Sequence, residues 1–255
     1  MCSGETLRIV YNEKLISRKN KDLRGDKMRI KWLGHAAFIL EGSKNIVIDP
    51  FLTGNPLSPL KPEEVDADII AVTHGHGDHL GDAVEIALKN DAPIICIHEL
   101  SRFLSRKGVE AVGMNIGGTA KLKDVAVTMV QALHSADVEE NDEIVSTGDA
   151  AGVIVEMDGV RVYHTGDTDV FTDMRLIAEL YSPDVMLVPI GDWYTMGIKG
   201  AVKALEFVRP RFAIPMHYNT FPVIKTNPEE FRKAVKEANI ETEVVILKPG
   251  EFFEI

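Results

Sequence analysis

Eleven short blocks of apolar, β-forming residues punctuate the chain, and the places where helices appear between them restrict the fold more than any other feature. The blocks fall at 29–34, 37–41, 45–49, 69–73, 93–97, 125–133, 152–157, 160–165, 184–190, 211–216 and 243–248, flanked by Gly, Asp, Asn and Pro. The first three follow one another like hairpin strands, and alternation of strand and helix begins only at residue 69. From there Leu80, Val84, Ala87 and Leu88 share one helical face. So do Ala201, Ala204, Leu205 and Val208, and so do Phe231, Ala234, Val235 and Ala238. Phe103 and Leu104 mark another short helix after Glu99. The second half repeats the order, with strands from about 118 to 165 and then helix and strand in turn. Two sheets covered by outer helices, a four-layer αβ/βα sandwich in two similar halves, fit this α/β pattern better than one doubly wound parallel sheet.

No Pro/Gly-rich linker divides the halves, so residues 28–255 are expected to form one domain. Residues 1–27 lack core periodicity and are expected to stand outside it; Met28 opens the first good strand and is a candidate for the authentic start. With 45% apolar and 26% charged residues, the 255-residue chain resembles an ordinary globular protein with a substantial core. No apolar run reaches the roughly 18 residues of a membrane span. The N-terminus carries no signal-peptide segment, so a cytoplasmic location is expected. Two cysteines, Cys2 and Cys96, are too few for a disulfide framework or a thiolate zinc site. The net charge of -11, with no Lys/Arg cluster alternating with aromatics, removes the usual footprint for nucleic acid. The expected partner is a small-molecule substrate, with neither nucleic acid nor membrane; a homo-oligomer is compatible with the sequence.

The chemistry is concentrated in 72-VTHGHGDHLGD-82, where His74, His76, Asp78 and His79 fall between a strand and a helix. Polar groups collect at such strand-to-helix loops. In extended backbone, residues two apart point to the same side, so His74 and His76 can reach one metal ion together. Asp78 and His79 follow a bend and aim at a second ion, with Gly75 and Gly77 letting the backbone turn tightly. Further ligands stand at strand ends: His134 after 125–133, Asp167 after 160–166 and His217 after 211–216. With Asp167 bridging, each ion has four protein ligands and a shared hydroxide can complete both shells. Positions left open to substrate make this a catalytic arrangement, not a closed structural one.

These residues resemble the ligand signature of the metallo-β-lactamase superfamily. The stretches 33-LGHAAF-38, 49-DPFLTGNP-56, 72-VTHGHGDHLGDAVEIA-87, 114-MNIGGT-119, 189-PIGD-192, 195-TMG-197 and 215-PMHYNTFP-222 are more closely similar to an uncharacterised metal-dependent hydrolase branch related to the ascorbate-phosphate lactonases. The resemblance covers roughly residues 28–225. It implies the metallo-β-lactamase fold and two divalent ions, zinc first, with manganese or iron as alternatives. It brings no substrate. The superfamily's zinc-dependent RNases carry a large inserted domain that this chain is too short to contain.

Around the seven ligands, Asp49 is expected to hydrogen-bond the metal loop from behind. His35 is read either as facing the site mouth or as a hairpin histidine, and Asp192, with Trp193, Tyr194 and Met196, as lining a substrate pocket. His98 and His164 are read as structural. The expected activity is that of a metal-dependent hydrolase. Bound zinc lowers the pKa of water from about 15.7 toward 7, so hydroxide is available for attack. Asp78, a ligand with a free oxygen, is the expected catalytic residue that passes the proton to the leaving group. Five neutral histidines, two carboxylates, a hydroxide and two divalent ions leave the site formally positive, which favours a small anionic ester or lactone. Two alternatives use the same ligands. A phosphodiesterase or nuclease would call for a basic track, which is absent; a di-iron redox protein usually adds a flavin-binding domain, and none fits.

Overall fold

The structure, a computed structural model, describes residues 27–255. The expectation for residues 1–27 therefore lies outside the described residues, apart from Lys27, whose ammonium pairs with Glu254 at 2.7 Å. Sheet one is built from β1 (Arg29–Trp32), β2 (Phe38–Glu41), β3 (Asn45–Ile48), β4 (Ile69–Ala71), β5 (Ile94–Ile97) and β6 (Ala111–Met114). Its first three strands are antiparallel, and β3 to β6 are parallel. Sheet two opens with β7 (Thr119–Leu122) and β8 (Val125–Gln131). The chain then leaves it for a separate hairpin, β9 (Asp137–Glu140) and β10 (Glu143–Ser146). It returns as β11 (Ala151–Met157) and β12 (Val160–His164), then adds β13 (Val185–Pro189), β14 (Phe212–Met216) and β15 (Glu243–Val244) in parallel. The last strand, β16 (Phe252–Glu254), goes back to sheet one beside β1, so each sheet has 7 strands.

Alternation along each strand makes the layers. Phe38, Leu40, Ile46 and Ile48 meet Val127, Met129, Val153 and Val155 in one buried cluster between the sheets. Their neighbours Ile39, Val47, Ile70 and Cys96 point the other way, onto α2 (Ala83–Asn90) and α3 (His98–Ser105), which follow the short α1 (Gly77–Leu80). On sheet two, α4 (Met174–Tyr181), α5 (Ile198–Val208) and α6 (Pro228–Glu237) bury Met174, Ala201, Leu205 and Phe231 completely. Each such Leu, Ile or Phe contributes about 1.5–3 kcal/mol. The four layers are those of the αβ/βα sandwich. Among the described residues no helix is long and apolar enough to cross a membrane.

Several local expectations need correction. The face predicted from Leu80 to Leu88 is two pieces, because the chain turns at Gly81 (φ 42°). A Cβ there would lie 2.5 Å from the Pro50 carbonyl oxygen, so only glycine lets the two segments approach. The helix restarts at Ala83 with a rotated face: Ala83, Ile86 and Ala87 are buried and Leu88 is 58% exposed. The block 243–248 pairs only at Glu243–Val244. Five strands have no counterpart among the predicted blocks: β6, β7, β9, β10 and β16, of which the β9–β10 hairpin is mostly acidic and solvent-facing.

Cys96 lies wholly inside, on the outer face of sheet one, and burial pushes its thiol up to about 12. At pH 8 the native protein should leave Cys96 unmodified by iodoacetamide, and the unfolded chain should alkylate it within minutes. Peptide mass mapping separates it from Cys2; rapid native labelling of Cys96 would contradict the burial. The sign of its linkage to stability follows. Its contribution is full below the ordinary thiol pKa and is lost as pH rises toward about 12.

Strand direction then gathers the loops. β1, β3 and β4 run the same way in sheet one, as do β8, β12, β13 and β14 in sheet two. The segments that leave their carboxyl ends therefore emerge at one edge of each sheet. The two edges are stitched together where His217 N–H donates to the His35 carbonyl (3.0 Å) and Ala151 N–H to the Thr73 carbonyl (3.1 Å).

Candidate metal centre

The site is built outward from Asp49, at the end of β3. It is fully buried and sits at φ 45°. Its Oδ1 accepts from Thr73 N–H (2.8 Å), and its Oδ2 accepts from the Thr73 hydroxyl (2.6 Å) and from His79 Nδ1 (2.7 Å). The Thr73 hydroxyl is thus spent as a donor, and its oxygen faces His74 Nδ1 at 3.0 Å. One carboxylate therefore sets the tautomer of two histidines, directly at His79 and through Thr73 at His74, and leaves Nε2 of each with a free lone pair.

Those lone pairs enter two groups of side chains. His74, His76 and His134 bring their ligand atoms within 4.8 Å of one another, with His74 Nε2 and His76 Nδ1 3.0 Å apart. His79 joins Asp78, His217 and His35 within the same limit. Asp167 stands between the groups. Its Oδ1 is 3.2 Å from His79 Nε2; its Oδ2 is 3.0 Å from His217 Nε2 and 3.7 Å from His134 Nε2. All seven residues singled out as ligands in the sequence thus meet in space.

The group is buried yet incompletely bonded. His79 Nε2, Asp167 Oδ1 and both ring nitrogens of His217 have no hydrogen-bond partner. An unpartnered buried polar atom costs about 1–3 kcal/mol, so four in one cluster need a common explanation. A divalent cation would supply it for three of them, His79 Nε2, Asp167 Oδ1 and His217 Nε2: nitrogen and carboxylate donors of this type suit zinc, and the neighbouring hydrogen bonds already aim the donors. Electrostatics agree. Burial pushes the Asp167 carboxyl up, but His217 and His79 outweigh it and hold the group well below the usual range. Burial also opposes ionisation of Asp78, and the His35 hydrogen bond and His79 overcome it. Burial drives His74 well below its ordinary value, helped by His79, and lowers His134. At His79 burial acts downward too, but Asp167 and Asp49 raise it well above. The two carboxylates thus favour positive charge beside His79, where a cation would serve.

The remaining candidates divide. His35 is fully buried, in the turn between β1 and β2 at φ 53°; its Nδ1 is 2.8 Å from Thr220 Oγ1 and its Nε2 3.1 Å from Asp78 Oδ2. It belongs to the interior of the cluster, not to an ordinary hairpin surface. Burial and His217 push it down to about 4, so it is neutral near pH 7. Asp192 is exposed, and its Oδ1 accepts from the N–H of Trp193 (2.9 Å). The structure does not bring it into the cluster; it borders an open cleft of about 730 Å³ with Asn219 and Lys225. His164 is structural: its Nε2–H donates to the Ala36 carbonyl (2.8 Å) and its Nδ1 accepts from Gly166 N–H (3.1 Å). His98 is exposed at the start of α3.

Two features of the loop went unread in the sequence. Gly75 is needed for packing: a Cβ there would lie 2.5 Å from Thr147 Oγ1 and 2.7 Å from the Asp137 carbonyl. At Gly77, by contrast, nothing lies within 4 Å of an added Cβ, so the tight-turn role expected for it is not required. Asp137, on β9, places Oδ1 3.6 Å from His76 Nε2, the outward nitrogen of that ring. The acidic hairpin had no sequence signal to connect it with the site.

Residues 44–218 match the family model described as the β-lactamase superfamily domain. A UPF0173 metal-dependent hydrolase of Archaeoglobus fulgidus is 71% identical over 228 residues, which cover 89% of this chain and 99% of that protein. One from Methanosarcina mazei is 53% identical over the same shares of the two chains. Among solved structures, Igni18, a metallo hydrolase from Ignicoccus hospitalis, matches with a TM-score of 0.81 and 40% identity, covering 90% of this chain and 98% of that one.

Proposed function

Because the chain belongs to the β-lactamase superfamily, among relatives named UPF0173 metal-dependent hydrolases, we propose that it is a metal-dependent hydrolase with a dinuclear site, acting on a small anionic ester or lactone. The observation that carries this reading is the position of Asp167, whose two oxygens lie within 3.2 Å of His79 and His217 while Oδ2 also faces His134 at 3.7 Å. His74, His76 and His134 would hold one ion, and Asp78, His79 and His217 the other, with Asp167 shared. Two divalent ions, zinc first, supply when bound a water acidic enough to give hydroxide near neutral pH and a Lewis acid for the scissile oxygen.

The chain's own residues do the rest. Asp49 and Thr73 fix the rings of His79 and His74, so that donors are aimed before substrate arrives. The side chain of Asp78 is 30% exposed, whereas those of Asp49 and Asp167 are sealed off. It is therefore the carboxylate assigned to carry a proton from the attacking water to the leaving oxygen. His76 and His134, 26% and 12% exposed, mark the side on which substrate enters. Asp49 adds a third buried negative charge, so attraction for an anionic group is confined to the immediate neighbourhood of the ions.

A panel of small carboxylate esters, lactones and phosphodiesters, assayed with zinc- and manganese-loaded protein, tests the substrate class. Metal-dependent turnover of an anionic ester or lactone is expected. Turnover confined to phosphodiesters would move the assignment to the phosphodiesterase reading.

A further inference from the structure

Resting on the dinuclear reading above, we propose that His35 is a positioning residue that holds Asp78 in ligand geometry through a hydrogen bond locked from behind by Thr220. Asp78 needs such a partner. It lies in the first turn of the four-residue helix α1, between Gly77 and Gly81, with its side chain 30% exposed. A carboxylate on so short an element has rotamers to spare, and fixing one of them costs entropy that a preformed hydrogen bond removes in advance.

The hydrogen-bond pattern separates His35 from the ligands around it. Nε2 of His79 and of His217 are buried and unpartnered, and Nε2 of His74 faces only another ligand, His76 Nδ1 at 3.0 Å. Both nitrogens of His35 are partnered: Nε2 to Asp78 Oδ2 at 3.1 Å and Nδ1 to Thr220 Oγ1 at 2.8 Å. A neutral ring satisfies both contacts with one tautomer, in which Nε2–H donates to the carboxylate and Nδ1 accepts from the threonine hydroxyl. That tautomer leaves no lone pair on Nε2 for metal.

The backbone shows that this placement is built. His35 adopts φ 53°, a conformation costing a residue with a Cβ about 1–3 kcal/mol. Its carbonyl accepts from Trp32 Nε1–H and from the N–H of His217, both at 3.0 Å. The turn is thus tied at one end to a ligand's backbone, and its side chain reaches across to another ligand's carboxylate. His35 also lies outside residues 44–218, the segment matched by the family model.

The test measures metal affinity, by competition with a chromophoric chelator, for wild type, His35→Phe, His35→Gln and Thr220→Val. Wild type should bind two ions. His35→Phe, which keeps a ring but no donor, should weaken one of them about 10–100-fold and leave the other nearly unchanged, as is usual when a ligand loses its outer partner. His35→Gln, whose amide places a donor where Nε2 was, should recover most of that loss. Thr220→Val should shift the same ion in the same direction by less. Unchanged binding in His35→Phe would overturn the proposal, and so would His35→Gln as weak as His35→Phe, which would make the ring itself a ligand or mere packing. If His35→Phe does not fold, the Gln and Val variants decide: a Gln variant that binds both ions and a weakened Val variant support it, and any other pair overturns it. Wild type that binds fewer than two ions would fail at the underlying reading, before His35 is reached.

Discussion

Asp167→Ala is expected to lose at least one ion and to lower turnover by roughly 10³-fold, the equivalent of about 4 kcal/mol, while the protein stays folded. Asp167 follows β12 and is almost fully buried, with one oxygen toward His79 and the other toward His217 and His134. Its removal takes a negative charge from between two cations and a ligand atom from each. His74→Ala or His217→Ala removes one donor from one group and should do less damage to the pair. Metal content and turnover for the three variants, measured side by side, give the comparison. An Asp167→Ala protein that keeps both ions and near-normal turnover would take Asp167 out of the site.

The second large effect is expected at Asp49, which touches neither substrate nor, in this account, any ion. Three buried donors converge on its carboxylate. Asp49→Ala leaves them unpaired, at about 1–3 kcal/mol each in part offset by relaxation, so a loss of roughly 3–5 kcal/mol is expected in denaturant titration of the metal-free protein. Asp49→Asn separates tautomer from packing. An amide nitrogen facing His79 Nδ1 favours the opposite tautomer, with a proton on Nε2, and so removes a ligand with little loss of volume. That variant should remain folded and lose metal; full retention of both ions would refute the tautomer argument. Acid should act on the same network. Burial opposes the charge on Asp49, but His79 overcomes it and holds the carboxyl below its ordinary value. Its contribution is therefore intact above the usual aspartate pKa, near 3.9, and is lost as pH falls through the lower folded value.

The seven candidate ligands could be picked out because metal-binding side chains follow a local spacing. His74 and His76, two apart at a strand end, could be assigned together from backbone geometry, and His134, Asp167 and His217 each terminate a recognisable strand. His35 was harder to read because its position depends on strand parity. With β1 and β3 separated by one antiparallel strand, the turn after β1 must emerge at the same edge as Asp49, a step that needs the sheet topology. The hairpin carrying Asp137 was invisible for the opposite reason: 137-DVEE-140 and 143-EIVS-146 have too little apolar alternation to announce strands. Leu88 went to the wrong face because periodicity was carried through Gly81, where packing against Pro50 breaks the helix.

In the dinuclear reading, the partnerless His79 Nε2, Asp167 Oδ1 and His217 Nε2 face cations, two to a chain. Elemental analysis of protein purified without chelator tests it directly. About two divalent ions per chain are expected, zinc foremost, both removed by dialysis against chelator and both restored on adding metal back. One ion per chain, or none, in protein never exposed to chelator would contradict it.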